Sequence, residues 1–182
     1  RGAGNILGTQ QSGHIATVGY ELYCELLEQA VRKMKHLPPK QNVDVHIDLP
    51  GEAHIPRTHV PDMRAKIDLY RRLSRVATFE EIQDLSAEML DRFGAHPAPL
   101  ARLLLLAELR VAATHWRIDS IAREEQYAVF KYTDRRKIEQ LAARSRGKLR
   151  IVDHKSAYLP VGHDIAKTEQ ILEPIKSVSY TH

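Results

Sequence analysis

The sequence is short of cysteine, of long apolar runs and of any leader. Among 182 residues there is one cysteine, Cys24. A single thiol excludes an internal disulfide and argues against a secreted, cross-linked scaffold. The longest purely apolar stretch runs from Leu103 to Ala107, far below the roughly eighteen residues a membrane-crossing helix needs. No initiator methionine and no basic-then-apolar leader are present. The chain opens at Arg1 inside a glycine-rich segment, and it reads as a piece of a longer protein.

Catalytic signatures are missing as well. A P-loop needs a glycine-rich turn ending in Lys-Ser/Thr to cradle phosphates and hold magnesium. Here Gly147-Lys148 runs into Leu149 with no glycine at the required spacing before it. None of the ten histidines forms the two-histidine, one-glutamate helical motif of a zinc protease. His46 and Asp48 share one side of an expected strand, and His54 and His59 flank Pro56; both arrangements read as polar surface rather than ligand sets. Asp91-Arg92-Phe93-Gly94 superficially resembles a kinase magnesium motif without the catalytic loop and lysine such a motif requires. Cys24 falls in a helical pattern and reads as a small packing residue.

What is present is the composition of a globular domain: 43% hydrophobic and 27% charged residues, with 27 bases against 23 acids. Apolar positions at Ile15, Val18, Leu22, Leu26, Ala30 and Met34 predict a long amphipathic helix that Pro38 and Pro39 stop. Alternation over Val43, Val45, Ile47 and Leu49 predicts a half-buried strand. Pro61 opens a helix carrying Met63, Ile67, Tyr70 and Leu73. Thr78 and Glu81 form a capping box for a helix that buries Phe79, Ile82, Leu85, Met89 and Phe93 and stops at Gly94. After Pro97 and Pro99 a third helix buries Leu100, Leu103, Leu104, Ala107 and Val111. Two strands follow, near 118–123 and 126–132, then a helix with Ile138 and Leu141 and a second hairpin near 148–153 and 156–160. Asp164 caps a last helix, which Pro174 should kink or end. The strands come as hairpins rather than as βαβ units, so the expected class is α+β: one compact domain over 40–178, with short antiparallel strands packed against several helices. Residues 1–35 form a separate glycine-rich loop and helix before it.

The glycine-rich opening is the most specific stretch. Arg1-Gly2-x-Gly4-x-x-Leu7-Gly8-x-x-Gln11-Ser12-Gly13 resembles the motif after the last helicase motif of the RecG and transcription-repair coupling factor (Mfd) translocases. The helix that follows, Val18-Gly19-Tyr20-Glu21-Leu22-Tyr23 through Val31, resembles the Mfd branch. So do Ile55-Pro56, Val60-Pro61 and the run Glu88-x-x-Asp91-Arg92-Phe93-Gly94-x-x-Pro97. The chain also continues well past the point where RecG ends. Two positions depart from the family pattern: Arg57 replaces an acid or small polar residue, and His115-Trp116-Arg117 stands where a lysine-leucine-glycine turn is common.

The resemblance implies a cytoplasmic bacterial parent, an ATP- and magnesium-dependent translocase on double-stranded DNA that displaces stalled RNA polymerase and recruits UvrA to excision repair. It implies that this C-terminal piece is non-catalytic and binds no cofactor or metal of its own. In the family this domain packs on a UvrB-like module of the same chain and masks its UvrA-binding surface. Arg1, Gly2, Gly4, Gly8, Gln11 and Gly13 then belong to the translocation motif, and Glu88, Asp91 and Arg92 to the interdomain interface. Those three also lie within one helical turn, so Glu88 could instead pair with Arg92 along the helix. A rival reading is a nucleic-acid-binding accessory module. Its basis is Arg71-Arg72, Arg135-Arg136-Lys137 and Arg144-Ser145-Arg146, clusters that in sequence are scattered and mixed with acids.

Overall fold

A computed structural model describes residues 31, 34–36, 45–162 and 168–176. The expected first helix and the glycine motif fall outside these, apart from a few positions near 31–36. So do Asp164 and Ile165, which were expected to open the last helix.

The described residues fall into two compact units, one holding Glu52–Leu104 and the other Val43–Gly51 with Leu105–His182. The first unit is helical. Helix α1 spans Met63–Arg75, with Asp62 as its N-cap. The Asp62 carboxylate accepts the Arg64 N–H, which satisfies one orphan donor of the first turn. Leu69, Tyr70 and Leu73 of α1 are fully buried. Met63 and Ile67, expected in the same stripe, are only half-buried, because the buried face is rotated toward Leu69 and Lys66. The Tyr70 hydroxyl accepts the Ile55 N–H at 2.8 Å. That contact fixes the extended Ile55-Pro56 segment against α1 and satisfies a buried backbone donor.

Helix α2 spans Phe79–Phe93 and has the capping box that Thr78 and Glu81 predict. The Thr78 hydroxyl accepts the Glu81 N–H, and the Glu81 carboxylate accepts the Thr78 N–H, both at 3.2 Å. Ile82, Leu85 and Met89 form its buried stripe, while Phe79 and Phe93 are half-buried at its ends. Gly94 stops it at a φ of 86°, a left-handed conformation that glycine adopts without strain. Helix α3 spans Ala98–His115, its residues through Leu104 belonging to this unit and those from Leu105 to the second. It is apolar nearly all round, and Leu100, Leu103, Ala107, Leu109 and Ala113 have no exposed surface.

The second unit holds a five-stranded mixed sheet: β1 His46–Asp48, β2 Ile118–Glu124, β3 Tyr127–Tyr132, β4 Arg150–Ile151 and β5 Ser156–Pro160, in the order β1-β2-β3-β5-β4. Hairpins β2–β3 and β4–β5 are antiparallel, as the short connections expected between their strands require. Strand β1 pairs with β2 in parallel, His46 opposite Ser120 and Asp48 opposite Ala122. Alternation cannot reveal strand direction, so this pair is a finding of the structure. Ala128, Phe130 and Tyr132 of β3 are buried on one face.

Helix α4, Arg135–Arg144, is capped by Asp134 and buries Ile138 and Leu141. The last helix, α5, spans Thr168–Lys176 with Pro174 inside it. Pro174 lies in the final turn, so its missing N–H removes one ladder bond only two residues before the helix ends. Trp116, fully enclosed just after α3, donates its indole N–H to the Ile175 carbonyl at 2.8 Å.

Candidate interdomain interface

The capping box and Gly94 fix the two ends of α2. With Ile82, Leu85 and Met89 turned inward, the 3.6-residue period sends Ala87, Leu90 and Asp91 outward and leaves Glu88 and Arg92 along one edge.

Glu88 is half-buried and doubly engaged. Arg72, in the last turn of α1, donates both terminal guanidinium nitrogens to it, one at 2.8 Å. Arg92, one turn along α2, donates to the same carboxylate at 2.9 Å. The forked bond from Arg72 and the second from Arg92 hold the Glu88 carboxyl down to about 2, against the usual 4.5. Asp68 approaches Arg72 at 3.9 Å and extends the chain of charges. About a third or more of each of these side chains meets solvent, so screening keeps the energetic yield of each pair small.

Arg92 also lies 4.8 Å over the Phe93 ring, a cation–π contact. The Phe93 ring in turn lies 6.2 Å from His59. Asp91 is exposed and has no side-chain partner among the described residues. Beside it Leu90 is 53% exposed, one of the few large apolar side chains left open.

The three residues read from the sequence as an interface therefore divide. Glu88 is engaged inside the fold, by its helix neighbour and by a residue of α1 that sequence spacing could not supply. Arg92 shares one guanidinium nitrogen with Glu88. Asp91 and Leu90 face outward with nothing described against them. Leu90 was missed by sequence reasoning, although its place off the buried stripe of α2 was the available signal. The translocation-motif residues Arg1, Gly2, Gly4, Gly8, Gln11 and Gly13 lie outside the described residues.

No three His, Cys, Asp or Glu side chains come together among the described residues. His46 and Asp48 sit exposed on β1. His59 stacks edge-on toward His96 at 6.5 Å, and Ser86 hydrogen-bonds the His96 ring at 3.0 Å. No described helix is long and apolar enough to cross a membrane.

The described structure is an α+β domain of helices and a mixed sheet, with an ion-paired helix edge on its helical unit. A family model, the TRCF domain, matches residues 49–142, a span that includes all of α1, α2 and α3. The chain belongs to that family. It is similar to the transcription-repair-coupling factor of Staphylococcus aureus (strain USA300), 41% identical over 117 residues, or 63% of this chain and 10% of that protein. It is also similar to the Bacillus subtilis (strain 168) factor, 40% identical over 126 residues, or 69% of this chain and 11% of that protein. The chain thus spans about a tenth of the length of these relatives. A crystal structure of the C-terminal domain of transcription-repair coupling factor shares the fold, with a TM-score of 0.58 and 18% identity, covering 75% of this chain and 96% of that one.

Proposed function

We propose that this chain is the non-catalytic regulatory domain of a transcription-repair coupling factor, and that the outward edge of α2 closes on a UvrB-like module of the same protein and masks its UvrA-binding surface. The observation that carries the reading is Asp91, an unpartnered carboxylate beside exposed Leu90 and half-engaged Arg92, inside the stretch that matches the family. Glu88 and Arg72 serve as the rigid backing: their mutual bonds hold the Arg92 guanidinium at the edge.

Such an edge suits a reversible clamp. Exposed charge pairs are individually weak and salt-sensitive, about 0–1 kcal/mol each. Several together hold a closed state by a few kcal/mol, which polymerase engagement and ATP turnover in the parent's motor domains are able to reverse. A broad apolar interface would be harder to open.

The test is a UvrA pull-down by the full-length parent protein. Reversal of both charges, Asp91→Arg with Arg92→Asp, should raise UvrA capture in the absence of polymerase, as deletion of residues 40–182 should. Capture that stays at the wild-type level in the charge-reversed protein, while the deletion raises it, would remove α2 from the clamp.

A further inference from the structure

A second charged surface lies in the other unit and has no part in the reading above. Residues 135–150 hold seven bases and one acid, and the rest of the chain holds twenty bases and twenty-two acids. The positive excess of the chain therefore resides in α4 and the turn leading into β4.

Two of the elements that carry these bases adjoin, since α4 packs against β4. Ile138 and Leu141 of α4 and Ser145 just beyond it are buried, which turns Arg136 to the opposite, open face. Arg146 and Lys148 are exposed in the turn after α4, and Arg150 is exposed on β4, which stands at the edge of the sheet and packs against α4.

Three of the seven bases have structural duties. Arg135 pairs with Glu139 at 2.7 Å, which also takes up the only acid of the stretch. Lys137 donates to the His115 carbonyl at 2.6 Å, and Arg144 lies 5.7 Å over the Trp116 ring. Arg136, Arg146, Lys148 and Arg150 have no side-chain partner among the described residues. His115 is held below its ordinary value by burial first and then by the nearby charges of Lys137 and Arg144.

We propose that Arg136, Arg146, Lys148 and Arg150 form a binding site for the phosphate backbone of nucleic acid, without sequence readout. Phosphate is favoured over an acidic protein by what accompanies the charges. The exposed residues of 135–150 are Arg, Lys, Glu, Gln, Ala and Gly, and Val152, just past β4, is a lone exposed aliphatic group beside them. A protein partner is normally anchored by buried aromatic or aliphatic groups. Three of the four free cations are arginines, whose planar fork matches phosphate oxygens. Contacts to the backbone alone fix position and carry no sequence information.

The experiment titrates the 182-residue chain against a random-sequence DNA duplex at several salt concentrations. Four phosphate contacts predict a log K against log salt slope of about −3 to −4. Changing Arg136, Arg146, Lys148 and Arg150 to Gln should weaken binding at least ~10-fold in about 50 mM salt and nearly flatten the slope. Changing Arg57, Arg64, Arg71 and Arg75 to Gln removes the same charge from the other unit and should leave affinity within about threefold. Equal weakening by both variants would reduce the effect to net charge and overturn the proposal. So would absence of wild-type binding in ~50 mM salt, or tighter binding of polyglutamate of equal charge than of DNA. If circular dichroism shows the first variant unfolded, the wild-type slope decides: a slope shallower than about −1 leaves no room for four contacts.

Discussion

The indole N–H of Trp116 and the carbonyl of Ile175 meet at 2.8 Å across 59 residues of chain. Ile175 lies in the last turn of α5, where backbone carbonyls lose their helical partners. Trp116 thus supplies the acceptor of a helix end with a donor from the end of α3. Both residues are about 2% exposed, so neither group has water to fall back on. Trp116→Phe should destabilise the chain by about 2–3 kcal/mol, from an orphaned carbonyl plus a small cavity. Denaturant unfolding followed by circular dichroism measures this, since the variant has lost its tryptophan. A change under ~0.5 kcal/mol would show the bond to be dispensable.

The Arg72–Glu88–Arg92 cluster carries a pH signature with a definite sign. The folded Glu88 carboxyl titrates at about 2 and its ordinary value is 4.5. The stabilisation is therefore complete above the ordinary value and is lost as pH falls through the window toward 2. Glu88→Gln should be less stable than wild type near neutral pH, and the gap should close between about pH 5 and 2. Solvent exposure of the pair limits the gap to about 1 kcal/mol or less. A gap that does not change over that window would mean the carboxylate gains nothing from the two arginines.

Lys66 behaves in the opposite sense. It is a lysine at 3% exposure in α1. Burial first, and the neighbouring Arg57 charge second, hold its ammonium below the ordinary 10.5. The unfolded chain thus binds the proton more tightly, and this contribution to stability grows as pH rises toward 10.5. Lys66→Met keeps the buried stem and removes the charge. It should raise stability on the order of 1 kcal/mol near pH 7, with the advantage shrinking as pH approaches 10. Parallel unfolding curves at pH 7 and 9.5 test it, and a destabilised variant at neutral pH would point to an unseen role for the ammonium.

Arg117 occupies a φ of 57°, the left-handed region. The Arg117 N–H reaches the Thr114 carbonyl at 3.2 Å, and the Arg117 carbonyl accepts the Thr133 N–H at 3.0 Å. Arg117→Gly relieves strain of about 1–2 kcal/mol and adds chain entropy to the unfolded state worth about 0.4–1. The net expectation is a gain of about 0.5–1 kcal/mol, read as a rise in melting temperature. A fall would show that the Arg117 side chain contributes more than its backbone costs.

Local signals in the sequence were read well because local physics decides them. The Thr78–Glu81 box and Gly94 bracket α2 within the few residues that make each cap. The hairpin around Glu125 follows from two alternating runs with polar residues between them. Non-local facts were not legible. The pairing of β1 beside β2 depends on strand direction, which side-chain alternation does not encode. Arg72 was read as half of a basic doublet, because nothing in its neighbourhood points to a carboxylate sixteen residues on. Lys66 sits in an amphipathic pattern as a polar residue, and its burial is set by how α1 is rotated. On α2, spacing gave the edge formed by Glu88, Asp91 and Arg92, but it could not tell which of them the fold itself engages.

Strand β1 is three residues long and joins the sheet only after the chain has left it at Asp48 and come back at Ile118. Nearly seventy residues must be ordered or looped out before that row of hydrogen bonds zips, so the outer flank of β2 is among the last parts of the sheet to be covered. A shortened version of this polypeptide starting after Leu49 would keep both hairpins yet leave the Ser120–Ala122 backbone bare. Bare strand backbone recruits whatever extended segment is at hand, commonly another copy. The stretch around His46 thus covers the flank of β2 as well as completing the sheet, and a chain trimmed of it is expected to self-associate through that flank.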